Sequence, residues 1–83
     1  MNTILMELSP VFQSLYEQMP ELVDRKTASR LSGGMVAPGS IANADSVGDG
    51  PAVRVRTGRK VAYPRLEFVK WLAARCTVEY AGQ

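Results

Sequence analysis

Residues 52–63 read AVRVRTGRKVAY, and this stretch decides the fold. Apolar and basic side chains alternate along its first arm as Val53, Arg54, Val55 and Arg56, and the second arm runs Lys60, Val61, Ala62, Tyr63. Alternation with period two marks strands with one buried and one wet face. Between the arms, Thr57-Gly58-Arg59 is a turn, because Gly58 takes a positive φ at little cost. A two-residue turn at 57–58 would put Val55 opposite Lys60 and mix apolar with basic side chains on one face. A three-residue loop at 57–59 instead pairs Arg56 with Lys60, Val55 with Val61 and Val53 with Tyr63. That register turns every apolar residue of the hairpin toward a core, and burial of one face is what sets register. It leaves Arg54, Arg56, Arg59 and Lys60 on the outside and at the tip.

The flanking chain reads as helices. Ser9-Pro10 is an N-cap followed by proline at the first helical position. Val11, Phe12, Leu15, Tyr16 and Met19 then recur at helical spacing until Pro20. Asp24 caps a second helix over residues 25–32, with Val23 and Ala28 placed to form a hydrophobic staple. Gly33-Gly34 closes it. Pro38 opens a third helix, running to Ser46, with Ile41 and Ala44 inward and Gly39, Asn43 and Ser46 opposite Ile41. Ser40 lies on its flank. Asp49-Gly50-Pro51 is a turn feeding the hairpin. A last helix spans residues 64–76, with Leu66, Val69, Leu72 and Ala73 as its inner stripe, widened by Phe68 and Trp71. Residues 1–8 are expected to fray, and 77–83 to form a loose tail. The expected division is an N-terminal helix and lead-in over 1–21, a domain over 22–76, and the tail.

Length bounds the core. At 83 residues the chain is one small domain, near the lower end of what folds unaided. It has one cysteine, Cys76, and no histidine, so no internal disulfide forms and the usual zinc ligand sets cannot be assembled. Its apolar runs are far too short for a membrane span, and the start lacks the pattern of a signal peptide. A cytoplasmic location is the expectation. The net charge of +2 conceals a polarity. Residues 1–23 hold three glutamates and no base. Residues 24–65 hold Arg25, Lys26, Arg30, Arg54, Arg56, Arg59, Lys60 and Arg65 against three aspartates. A basic middle behind an acidic head points to a polyanionic partner.

Catalytic and cofactor signatures are missing. Cys76 has no histidine to activate it, and it continues an apolar stripe, as a small core residue would. Asp45 and Asp49 flank a helix end, where aspartate serves local hydrogen bonding. Residues 43–48, NADSVG, imitate the start of a calcium loop, but Val47 stands where a ligand is needed and Arg54 replaces the closing glutamate. The glycines at 33, 34 and 39 match no phosphate-binding fingerprint. The expectation is no enzyme, no metal and no cofactor.

Three segments taken together, LVDRKTASRLSGG, APGSIANADS and GPAVRVRTGRKVAYPRLEFVKWL, resemble the small winged-helix DNA-binding domains of the MerR-like and excisionase class. That class includes phage excisionases, AlpA-type prophage regulators and the DNA-binding part of some terminase small subunits. The resemblance covers residues 22–72 and rests on the order of its pieces. It implies a winged helix-turn-helix, so that the expected fold is mainly α with a small β-hairpin, the winged domain being preceded by the extra N-terminal helix read from the residues. It also implies double-stranded DNA as partner, and a homodimer or a cooperative array is the further expectation. Carried over, Ser40, Asn43 and Ser46 would face bases. Arg54, Arg56, Arg59 and Lys60 would meet the backbone, with Arg25, Lys26 and Arg30 as further phosphate ligands. Two features depart from the pattern. The helix that would read bases has no Arg or Lys, the commonest readers of guanine, and the helix over 9–19 is an addition whose role is extra core, dimer contact or docking surface.

A different class remains in view: a protein-interaction adaptor on the same scaffold, docking through the 9–19 helix and the Trp71 region. An adaptor has no reason to gather four basic residues on one hairpin. RNA binding ranks lower, since the basic surface lacks stacking aromatics.

Overall fold

In the computed structural model, which describes residues 7–81, the organising element is a central strand, β3 (Lys60–Pro64). It is flanked on one side by β2 (Val55–Thr57) and on the other by β1 (Leu22–Asp24), giving an antiparallel sheet of order β1-β3-β2. Four helices complete the described chain: α1 (Pro10–Gln18), α2 (Arg25–Leu31), α3 (Pro38–Ser46) and α4 (Arg65–Arg75). The molecule is therefore a small mixed α/β fold, with more sheet than a lone hairpin. The residues expected to fray lie mostly outside the described part, as do the last two of the tail.

β1 is the element the sequence did not announce. Three residues carry too little periodicity to mark a strand, and Leu22-Val23 reads as a lead-in to the cap at Asp24. Its existence depends on pairing with a segment far along the chain, Val23 opposite Tyr63. Both side chains are fully buried and join Phe68, Val69 and Ile41 at the centre of the core.

The hairpin register also differs from expectation. Thr57 pairs with Lys60, Arg56 with Val61 and Val55 with Ala62, so the loop is the two residues Gly58-Arg59, and neither turn considered from the sequence forms. Gly58 has φ +58° and no other hairpin residue has a positive φ, the pattern of a type II′ turn, whose twist matches that of the strands. In this register Val61 and Tyr63 still face the core, but Val53 and Val55 are each 45% exposed. Arg54 and Arg56 share the face of Val61 and Tyr63. Burial of two valines on an edge strand has yielded to turn geometry and to an ion pair of Arg54.

The helices follow their local signals closely. Asp24 caps α2 by accepting from Thr27 N at 3.4 Å, and Gly33 (φ +72°) and Gly34 (φ +78°) end it in a conformation other residues rarely adopt. Ile41 and Ala44 of α3 are buried. Ser9 stands at the N-cap of α1 but its side chain makes no capping bond; its carbonyl accepts from Phe12 N and Gln13 N. α1 packs against α4, placing Phe12 and Met19 in the shared core, while Val11 stays outside. Phe68, rather than Leu66, leads the buried stripe of α4. Cys76 is half-buried against the core. Among the described residues no helix is long and apolar enough to cross a membrane.

Candidate nucleic-acid interface

The expected surface residues fall into three groups. Ser40, Asn43 and Ser46 are all exposed on α3. Ser46 donates its hydroxyl back to Asn43 O at 2.9 Å, which spends its proton locally. The Asn43 carboxamide makes no hydrogen bond among the described residues and is free to bind.

The second group is basic and open. Arg56, Arg59 and Lys60 are exposed along the hairpin and its tip, and Lys26 and Arg30 on α2. None of these five forms an ion pair within 4.0 Å among the described residues. Lys26, Arg59 and Lys60 line one cleft together with Asp24, Arg25 and Val61, between the hairpin tip and the start of α2. The pairing of β3 with β1, which runs straight into α2, brings the start of β3 and the turn beside the first residues of that helix.

The third group, Arg25 and Arg54, is engaged internally. Asp45, whose side chain is only 5% exposed, accepts from Arg25 Nη2 at 2.8 Å and from the Tyr63 hydroxyl, and Arg54 Nη1 stands 3.5 Å from its other oxygen. Arg25 Nε also donates to the Tyr63 oxygen at 2.9 Å. Arg25 is therefore a structural residue first. Its guanidinium binds α2 to α3 and β3, whereas the resemblance would have it on phosphate. Arg54, at 42% side-chain exposure, is part strut and part surface.

The electrostatics of this cluster are self-consistent. Burial pushes the Asp45 carboxyl up, but hydrogen bonds from Tyr63 and Arg25 and the charges of Arg54 and Arg25 outweigh it and hold the group below its usual range. Burial, aided by the hydrogen bond to Asp45, pushes the Tyr63 phenol up. The hydrogen bonds to Asp45 and Tyr63 raise Arg25 further. All three groups keep their ordinary charge at neutral pH. The cluster is thus an anchor between α3 and the root of the hairpin. Its signal in the sequence was faint: Asp45 lies one turn after Ile41, at the border of a buried stripe, where a carboxylate needs cationic partners.

A second arginine stands on the other flank of α3. Arg75, in the last turn of α4, lines a shallow cavity with Ser40, Asn43, Ala44, Val47 and Asp49. No feature near it in the sequence connects it with α3. Among the described residues no group of three or more His, Cys, Asp or Glu is arranged to hold a metal ion. The chain matches no family model, no curated protein and no solved structure.

Proposed function

We propose that the protein is a small DNA-binding protein of winged helix-turn-helix type, acting as a prophage-type transcriptional regulator or an excisionase-like directionality factor. In this reading α3 enters the major groove, and the β2–β3 hairpin is the wing on the phosphate backbone. The observation that carries it is the cleft of Lys26, Arg59 and Lys60, joined on the hairpin by Arg56. These cations are exposed and, among the described residues, unpaired, on elements that the Asp45 cluster ties to α3. Charges that served only to keep an edge strand soluble would not need to converge on a helix.

Counterion release tests it. Log affinity for duplex DNA should fall with log salt at a slope of about −0.9 per phosphate contact. Replacing Arg59 and Lys60 with Gln should flatten the slope by somewhat under two units, with circular dichroism unchanged. A wild-type protein that binds no duplex at low salt would overturn the proposal.

The adaptor reading has its own observation. An apolar groove of about 390 Å³ lies between α1, α4 and residues 76–78, and Val11 and Met35 on it are 56% and 68% exposed. It ranks second because the groove accounts for none of the basic residues.

A further inference from the structure

We infer that Arg75 reads a base, supplying from α4 the guanidinium that α3 lacks. The inference rests on the DNA-binding reading and names a residue beyond it. α3 has no Arg or Lys of its own, yet the fold sets Arg75 beside its exposed face, in one cavity with Ser40 and Asn43. The side chain is exposed and makes no ion pair within 4.0 Å among the described residues.

It is also held in place. The Arg75 guanidinium carbon lies 4.8 Å from the centre of the Trp71 ring. Trp71 in turn donates its indole N–H to Asp49 O at 2.7 Å and packs against Phe68 at 5.7 Å between ring centroids. A guanidinium resting on an aromatic ring keeps its in-plane N–H groups free, which suits a bidentate contact to guanine O6 and N7. Less side-chain entropy is then lost on binding than for a free arginine.

The surroundings favour a base over a phosphate. Asp49 lines the same cavity, and its carboxylate repels phosphate while it can accept from a cytosine amino group. Val47, 75% exposed on the rim, offers apolar contact to a thymine methyl. Arg54, the arginine on the Asp45 side of α3, is tied to that carboxylate, whereas Arg75, on the Asn43 side, pairs with no carboxylate among the described residues.

The experiment selects preferred duplexes for the wild-type protein from a randomised pool. It then measures binding of wild type, Arg75→Lys and Arg75→Gln to the preferred and to a scrambled duplex at several salt concentrations. Lysine keeps the charge and loses the fork. The expected result is that Arg75→Lys lowers the preference for the selected duplex by about 5- to 150-fold with an unchanged salt slope. The loss should map to one G·C pair whose replacement weakens the wild type but not the variant. Equal weakening on both duplexes, with a slope flattened in Arg75→Gln, would make Arg75 a phosphate ligand and overturn the assignment. An unchanged preference in both variants, or a wild type that binds DNA without preference, would overturn it too. A wild type that binds no DNA removes the DNA-binding reading itself, a distinct failure.

Discussion

The hydroxyl of Tyr63 lies 2.5 Å from Oδ2 of Asp45, joining the central strand to the end of α3. Arg25 touches both groups and Arg54 approaches the second carboxylate oxygen. One buried carboxylate thus holds α2, α3, the central strand and the root of the hairpin in a single arrangement.

Breaking that cluster should cost stability in a graded way. Tyr63→Phe removes one hydrogen bond to a charged group and should lower unfolding free energy by about 1.5–3 kcal/mol. Asp45→Asn leaves Arg25 without its counter-charge. Loss of one partner of a fully buried pair costs about 3–5 kcal/mol; the arginines here are partly exposed, so about 2–4 kcal/mol is expected. Urea unfolding measures both. Two variants as stable as wild type would show the cluster to be ornamental.

The same carboxylate sets an acid limit. Its folded pKa lies below the ordinary 3.8, so the unfolded chain binds the proton more readily. Its contribution is therefore complete above about pH 4 and is lost as pH falls through the folded value. Asp24, lowered by the hydrogen bond to Thr27, acts in the same direction. The wild-type melting temperature should drop on acidification below about pH 4, and Asp45→Asn should blunt that drop. An identical pH profile in the variant would exclude Asp45 as its source.

Gly50 is required by closeness rather than by a turn. A Cβ there would collide with Asp45 Oδ1 and sit 3.2 Å from the Asp45 backbone nitrogen. Because Arg25 and Tyr63 hold that carboxylate, it cannot swing aside freely. Gly50→Ala should destabilise by about 1–3 kcal/mol, as overpacking does. On an Asp45→Ala background the same change should cost less, a coupling that a double-mutant cycle reads directly.

Phe12 belongs to the shared core of α1 and α4. Phe12→Ala should lower stability by about 3–5 kcal/mol without altering the sedimentation of the folded protein. A stable variant of changed size would instead make α1 a seam between copies.

Asn43, with its carboxamide free on α3, should matter for choice more than for grip. Asn43→Ala should reduce affinity for a preferred duplex by about 1–3 kcal/mol and leave binding to random duplex nearly unchanged, since phosphate contacts persist. Parallel losses on both duplexes would remove Asn43 from any reading role.

Most helix boundaries were legible in the chain because their signals are local. Asp24, the Gly33-Gly34 pair and Pro38 each satisfy or end a backbone within one turn, and α2 and α3 fall within a residue of the expected bounds. The clustering of basic residues about the hairpin was equally visible, being a matter of order alone. Only the tertiary structure decided the rest. β1 exists because Val23 finds Tyr63. The register follows from a turn at Gly58-Arg59 and from Arg54 reaching Asp45, and together these outweighed the burial of Val53 and Val55. Arg25 passed from surface to strut, and Arg75 came to stand beside Asn43, for the same reason. Each depends on a partner remote in sequence, and pairing between remote segments leaves no periodicity in either one.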